Sequence, residues 1–136
     1  MYVKSKTFKT NKRLRKKIRI RKRLSGTEQK PRVSVFRSAR HTYAQVISDA
    51  TGKTMAAAST KDQAVLDAVA KVKTEEGASK SRSPKSVAAA IAVGMVLGAR
   101  IQEQKIKELV FDRNGFVFHG RIKAVADGLR QSGVKI

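Results

Sequence analysis

Cysteine and tryptophan are absent from this chain, proline occurs twice, and only ten acidic residues stand against 31 lysines and arginines. Without cysteine there can be no disulfide framework and no thiolate zinc site, a composition that fits a reducing compartment. Long hydrophobic runs are missing too. The longest, Val87 to Ala99, covers 13 residues and is too short to cross a bilayer. The N-terminus carries no apolar core of a secretory signal. A mitochondrial presequence would share the shortage of acids, but this region is denser in charge and poorer in apolar residues than an amphipathic presequence should be. A soluble protein without a membrane partner is expected. Its 136 residues and 40% hydrophobic content allow one real core.

What is present is positive charge, unevenly spread. The first 23 residues hold twelve Lys or Arg and no Asp or Glu, and through Arg40 sixteen basic residues face one acid, Glu28. Such a stretch repels itself, so free in solution it should be extended or weakly helical. A phosphodiester backbone would neutralise it, which directs attention to RNA or DNA. A polybasic membrane anchor is the competing reading, but it usually brings apolar insertion residues or a lipid signal. Leu14 and Ile18, four apart, could seat a helical arm against something. The chain therefore divides into a basic arm, residues 1–26, and a single globular α/β domain, residues 27–136.

Periodicity supplies the domain's elements. Arg32–Arg37 and Thr42–Ser48 alternate like strands, and Lys53–Thr60 follows as a third strand weakened by Ala56-Ala57-Ala58. Short turns join them, which predicts an antiparallel meander. Val65, Ala68, Val69 and Val72 recur at helical spacing. Thr74–Ser83 reads as a polar loop. Ser83-Pro84 resembles an N-cap with proline in the first turn, opening an apolar helix over Lys85–Gln104. Lys107–Arg113 predicts a buried strand, and Ile122, Val125, Ala126 and Leu129 a final helix. The order β-β-β-α-α-β-α implies a mixed sheet whose last strand is added in parallel, with helices covering it. Gly94 and Gly98 predict a close approach of the long helix to the sheet.

Arg32, Arg37, Arg40, His41 and Tyr43 cluster around the first hairpin; arginine forks phosphate, and Tyr or His can stack on unpaired bases. Arg113, His119 and Arg121 flank Phe116-Val117-Phe118. Asp112 could orient Arg113 or Arg121, or bind metal in a nuclease, but a two-metal site needs several converging carboxylates. His119 has no second histidine nearby in sequence, and no nucleophile elbow is present, so no catalytic residue, metal or cofactor is assigned.

Several blocks together resemble a known family. Lys30-Pro-Arg-Val-Ser-Val-Phe-Arg-Ser38, His41-Thr-Tyr-Ala-Gln-Val46, Gly52-Lys-Thr54, Ala58-Ser-Thr60, Phe111-Asp-Arg-Asn-Gly-Phe116 and His119-Gly-Arg121 are similar, in that order, to the bacterial ribosomal protein L-eighteen. The resemblance implies a non-enzymatic cytoplasmic component of the large ribosomal subunit. It would bind 5S rRNA and help attach it to 23S rRNA in the central protuberance, beside ribosomal protein L-five and other large-subunit proteins. It also implies a ribonuclease-H-like fold of the kind found in translational proteins, without the nuclease carboxylates. Carried over by position, the RNA-facing residues are Lys12, Arg13, Arg15, Lys16, Lys17, Arg19, Arg21, Lys22 and Arg23 of the arm, then Arg32, Arg37, Ser38, His41 and Tyr43, with Arg113, His119 and Arg121. The 74–83 segment resembles the family least.

Overall fold

In the computed structural model, residues 12–72 and 83–136 are described. The predicted 74–83 loop lies, but for Ser83, outside them. Helix α1 (Lys12–Arg23) comes first, followed by β1 (Arg32–Arg37), β2 (Thr42–Ser48), β3 (Lys53–Ser59), α2 (Gln63–Val69), α3 (Val87–Glu103), β4 (Val110–Asp112) and α4 (Arg121–Gln131). The four strands form one open mixed sheet in the order β3-β2-β1-β4. β1 pairs antiparallel with β2 and parallel with β4. The α/β class and the parallel last strand are as expected.

Side chains alternate across the strands, so the sheet has two unlike faces. Val33 and Val35 on β1, with Ala44 and Val46 on β2, are buried against the helices. Arg32, Ser34 and Phe36, with Tyr43 and Gln45, point to the other face. α3 is apolar nearly all round and accordingly buried from Ala88 to Gly94 and again at Leu97, Gly98 and Ile101.

Several sequence expectations change. The N-cap of α3 is Ser86, whose hydroxyl accepts from the Ala89 amide at 3.0 Å, and not Ser83. Ser83 instead starts a tight turn, closed by the Ser86 amide on its carbonyl at 3.0 Å, so the cap moves three residues on and the helix begins at Val87 and not at Lys85. The expected close approach of Gly94 is to α4 and not to the sheet. A Cβ on Gly94 would strike the Val125 carbonyl and Leu129 amide, because the two helix backbones touch there. The strand predicted over Lys107–Arg113 shrinks to Val110–Asp112, since the residues before it pair with the C-terminal segment: the Leu109 amide donates to the Lys135 carbonyl at 2.9 Å.

β3 lies at an edge of the sheet, where unpaired carbonyls invite pairing with another chain. Two side chains at the end of α3 occupy them: Gln104, the C-cap, donates to the Met55 carbonyl at 2.7 Å, and Arg100 to that of Ala57. Arg100 also reaches Asp62 at 3.0 Å.

A candidate nucleic-acid interface

Expected to be extended or weakly helical, the arm is helical from Lys12 to Arg23 and lies on the sheet's outer face. The body supplies what a self-repelling helix lacks. Arg13 places its guanidinium 4.1 Å from the centre of the Phe116 ring and 5.2 Å from that of Phe36, a cation–π arrangement on both rings. Arg21 reaches Asp112 at 3.4 Å and the Asn114 side-chain oxygen at 3.3 Å. Gly115, at φ +80°, lets the helix backbone come against the loop, since a Cβ there would strike the Arg13 carbonyl. Arg13, Lys17 and Ile20, spaced by four and three, form the half-buried side of α1. Burial, and then the neighbouring charges of Arg21 and Arg13, push the Lys17 ammonium below its usual pKa. Lys12, Arg15, Lys16, Arg19, Arg21, Lys22 and Arg23 are exposed.

Arg32 has a different role from the other candidates. It is only 8% exposed. One of its terminal nitrogens, Nη1, donates to Asp112 at 2.7 Å, while Nε and Nη2 donate to Asp49 at 3.0 and 2.9 Å. Hydrogen bonding to Asp49 raises the Arg32 pKa. The same bond, with help from the Gly26 amide at 2.6 Å, lowers that of Asp49. All three kinds of guanidinium nitrogen are thus used inside the fold, and Arg32 is a strut and not a free phosphate ligand.

Arg121 is tied down as well. Its guanidinium donates to the Ser38 carbonyl at 2.8 Å and weakly to that of His41 at 3.5 Å, so it fastens the start of α4 to the β1–β2 turn. Burial, then the nearby Arg37, lowers its pKa. Arg113 donates to the Phe116 carbonyl at 2.9 Å and shapes the loop after β4. Asp112 orients neither Arg113 nor Arg121, as the sequence had suggested; its partners are Arg32, Arg21 and the Asn114 amide. Among the described residues, no three acidic or histidine side chains converge as metal ligands would.

The turn is a rigid platform. The Ser38 amide donates to the His41 carbonyl at 2.8 Å, and the His41 amide to the Ser38 hydroxyl at 3.1 Å. The His41 Nδ1 lies 2.9 Å from the Thr60 hydroxyl. Tyr43 stands with its ring centre 6.2 Å from those of both Phe36 and His41, and Phe36 meets Phe116 edge-on at 5.7 Å. Arg37 is exposed, 5.3 Å from the Phe116 ring centre, and Lys61 sits 5.8 Å from that of Tyr43. His119 is exposed in the same loop as Phe116. One continuous surface therefore joins α1, the hairpin turn and the 113–119 loop: aromatic rings at its centre, cations around them. Phe36, Phe116 and Lys61 belong to it although their residue types alone do not mark them out. The outward phase of Phe36 in β1 is the signal that the sequence does carry.

Comparison with known proteins gives the family. A family model described as "Ribosomal L18 of archaea, bacteria, mitoch. and chloroplast" matches residues 7–136. A Large ribosomal subunit protein uL18 of Desulforapulum autotrophicum is 47% identical over 122 residues, covering 90% of each chain. Its counterpart in Nitratidesulfovibrio vulgaris is 42% identical over 127 residues, 93% of this chain and 96% of the relative. That of Thermotoga petrophila is 41% identical over 130 residues, 96% and 97% respectively. All three carry the same name, a protein of the large ribosomal subunit. With a cationic, aromatic surface and matches spanning nearly its full length, the chain belongs to the L18 family of large-subunit ribosomal proteins.

Proposed function

We propose that the protein binds 5S rRNA and helps attach it to 23S rRNA in the central protuberance, next to ribosomal protein L-five. The observation carrying this is the joined surface of α1, the β1–β2 turn and the 113–119 loop. Phosphates meet the exposed cations of α1 and Arg37, while Tyr43, Phe36 and His41 supply faces on which unpaired bases stack. Arg32, Arg121 and Arg113 act one step back by holding that surface in shape. Residues 1–26 serve as the RNA-binding arm and residues 27–136 as the body that selects the RNA, a body we assign to the ribonuclease-H-like group of translational proteins.

The test is a footprint on purified 5S rRNA beside a control RNA of the same length. Protection confined to defined 5S positions, absent from the control, is the expected result. Equal, featureless protection of both RNAs would reduce the surface to a nonspecific polycation and overturn the assignment.

A further inference from the structure

From Lys12 to Arg23, α1 holds nine basic residues and no acid. Of its apolar side chains only Ile20 is half-buried; Leu14 and Ile18 are 40% and 48% exposed. Apolar burial is therefore a small part of what keeps the helix on the body. The stronger part is electrostatic and begins with Asp112, a carboxylate with no exposed surface.

Two acids, Asp49 and Asp112, share the single buried cation of Arg32. Asp49 keeps 31% of its side chain in solvent, but Asp112 has none exposed and shares Arg32 with it, so the buried Asp112 charge is only partly compensated, which is costly. Arg21 supplies the second cation. Its Nε approaches Asp112 Oδ2 at 3.4 Å while its Nη2 donates to Asn114 Oδ1 at 3.3 Å. Asp112 Oδ1 in turn accepts from the Asn114 backbone amide at 2.8 Å, which ties the two residues together while Asp112 Oδ2 and the Asn114 side-chain oxygen face the helix as acceptors. Eight residues earlier, about two helical turns, Arg13 rests on Phe116 and its carbonyl on Gly115. Both ends of the span are thereby held by the same 112–116 loop.

We propose that Asp112 is a positioning residue for RNA binding: through Arg21 it seats α1 on the outer face of the sheet before RNA arrives. This rests on the RNA-binding reading above. Residues ordered in advance need not lose backbone entropy during binding, so preorganisation raises affinity while the number of neutralised phosphates stays the same.

Lysine at position 21 keeps the charge but loses the planar fork that sends one nitrogen to Asp112 and another to Asn114. Arg21→Lys is therefore compared with Arg19→Lys, which makes the same change at an exposed neighbour on the same helix. With the full chain and 5S rRNA, R21K should lose about two- to fivefold more affinity than R19K, both with the salt slope of wild type. Without RNA, the amides of Lys16 to Ile20 should exchange faster in R21K than in R19K. Equal affinity loss in the two variants overturns the proposal. So does equal exchange, since Arg21 would then act by touching RNA directly. If wild type shows no preference for 5S rRNA while the exchange rates still differ, the binding reading falls and the seating of α1 by Asp112 stands.

Discussion

Arg32 and Arg37 open and close the same strand, and by composition they look alike. Their surroundings separate them: Arg32 is enclosed by two carboxylates, while Arg37 lies exposed beside the Phe116 ring. The pH dependence of stability reports on the enclosed one. Asp49 has a folded pKa below its unfolded value because it accepts from Arg32 and the Gly26 amide. A carboxylate of this kind contributes stability that is complete above the unfolded value of about 3.9 and is lost as pH falls through the folded one. Asp49→Asn should thus melt below wild type at about pH 6 to 7, and the gap should narrow as pH falls below about 3.9 and through the folded value. A gap that stays constant across this range would mean that Asp49 carries no charge-dependent role. Alternation along β1 places Arg32 on the outer face; it says nothing of Asp49 and Asp112, which come from 17 and 80 residues further on.

Among the elements, α3 and α4 show how a short motif can be read correctly for spacing and wrongly for partner. Gly94 marks a close approach because no side chain fits there, but the backbone it meets is that of α4 at Val125 to Leu129. Those atoms cannot move aside as a flexible side chain would. Gly94→Ala should lose about 1–3 kcal/mol through overpacking, against a gain of about 1 kcal/mol in helix propensity. A net fall in the urea midpoint is expected; a midpoint at or above wild type would show that the helices are not in backbone contact. β1 and β2 are legible because each repeats apolar and polar residues at period two, while β3, with its three alanines, is legible mainly from the turn before it. α1 is legible only in part. Local charge repulsion argues against a stable helix, and the counter-charge that overrides it sits in a loop distant in sequence: Arg21 and Asp112 are separated by 91 positions.

For the whole molecule, charge asymmetry is the dominant property, and its consequence is salt dependence. A chain beginning at Gly26 lacks twelve basic residues and should bind 5S rRNA with a log–log salt slope smaller by several units, about 0.7–0.9 for each phosphate left without its cation. Identical slopes for the two forms would remove the arm from the interface. The surplus of Lys and Arg, the turn positions, and the periods of strand and helix all concern residues close together in the chain, and they sufficed for the α/β class, the polyanionic partner and the family blocks. Deciding which arginine is a strut and which one faces outward required long-range geometry. Burial and ion pairing arise where distant segments converge, and in one dimension Arg32 and Arg37 carry the same charge in the same strand.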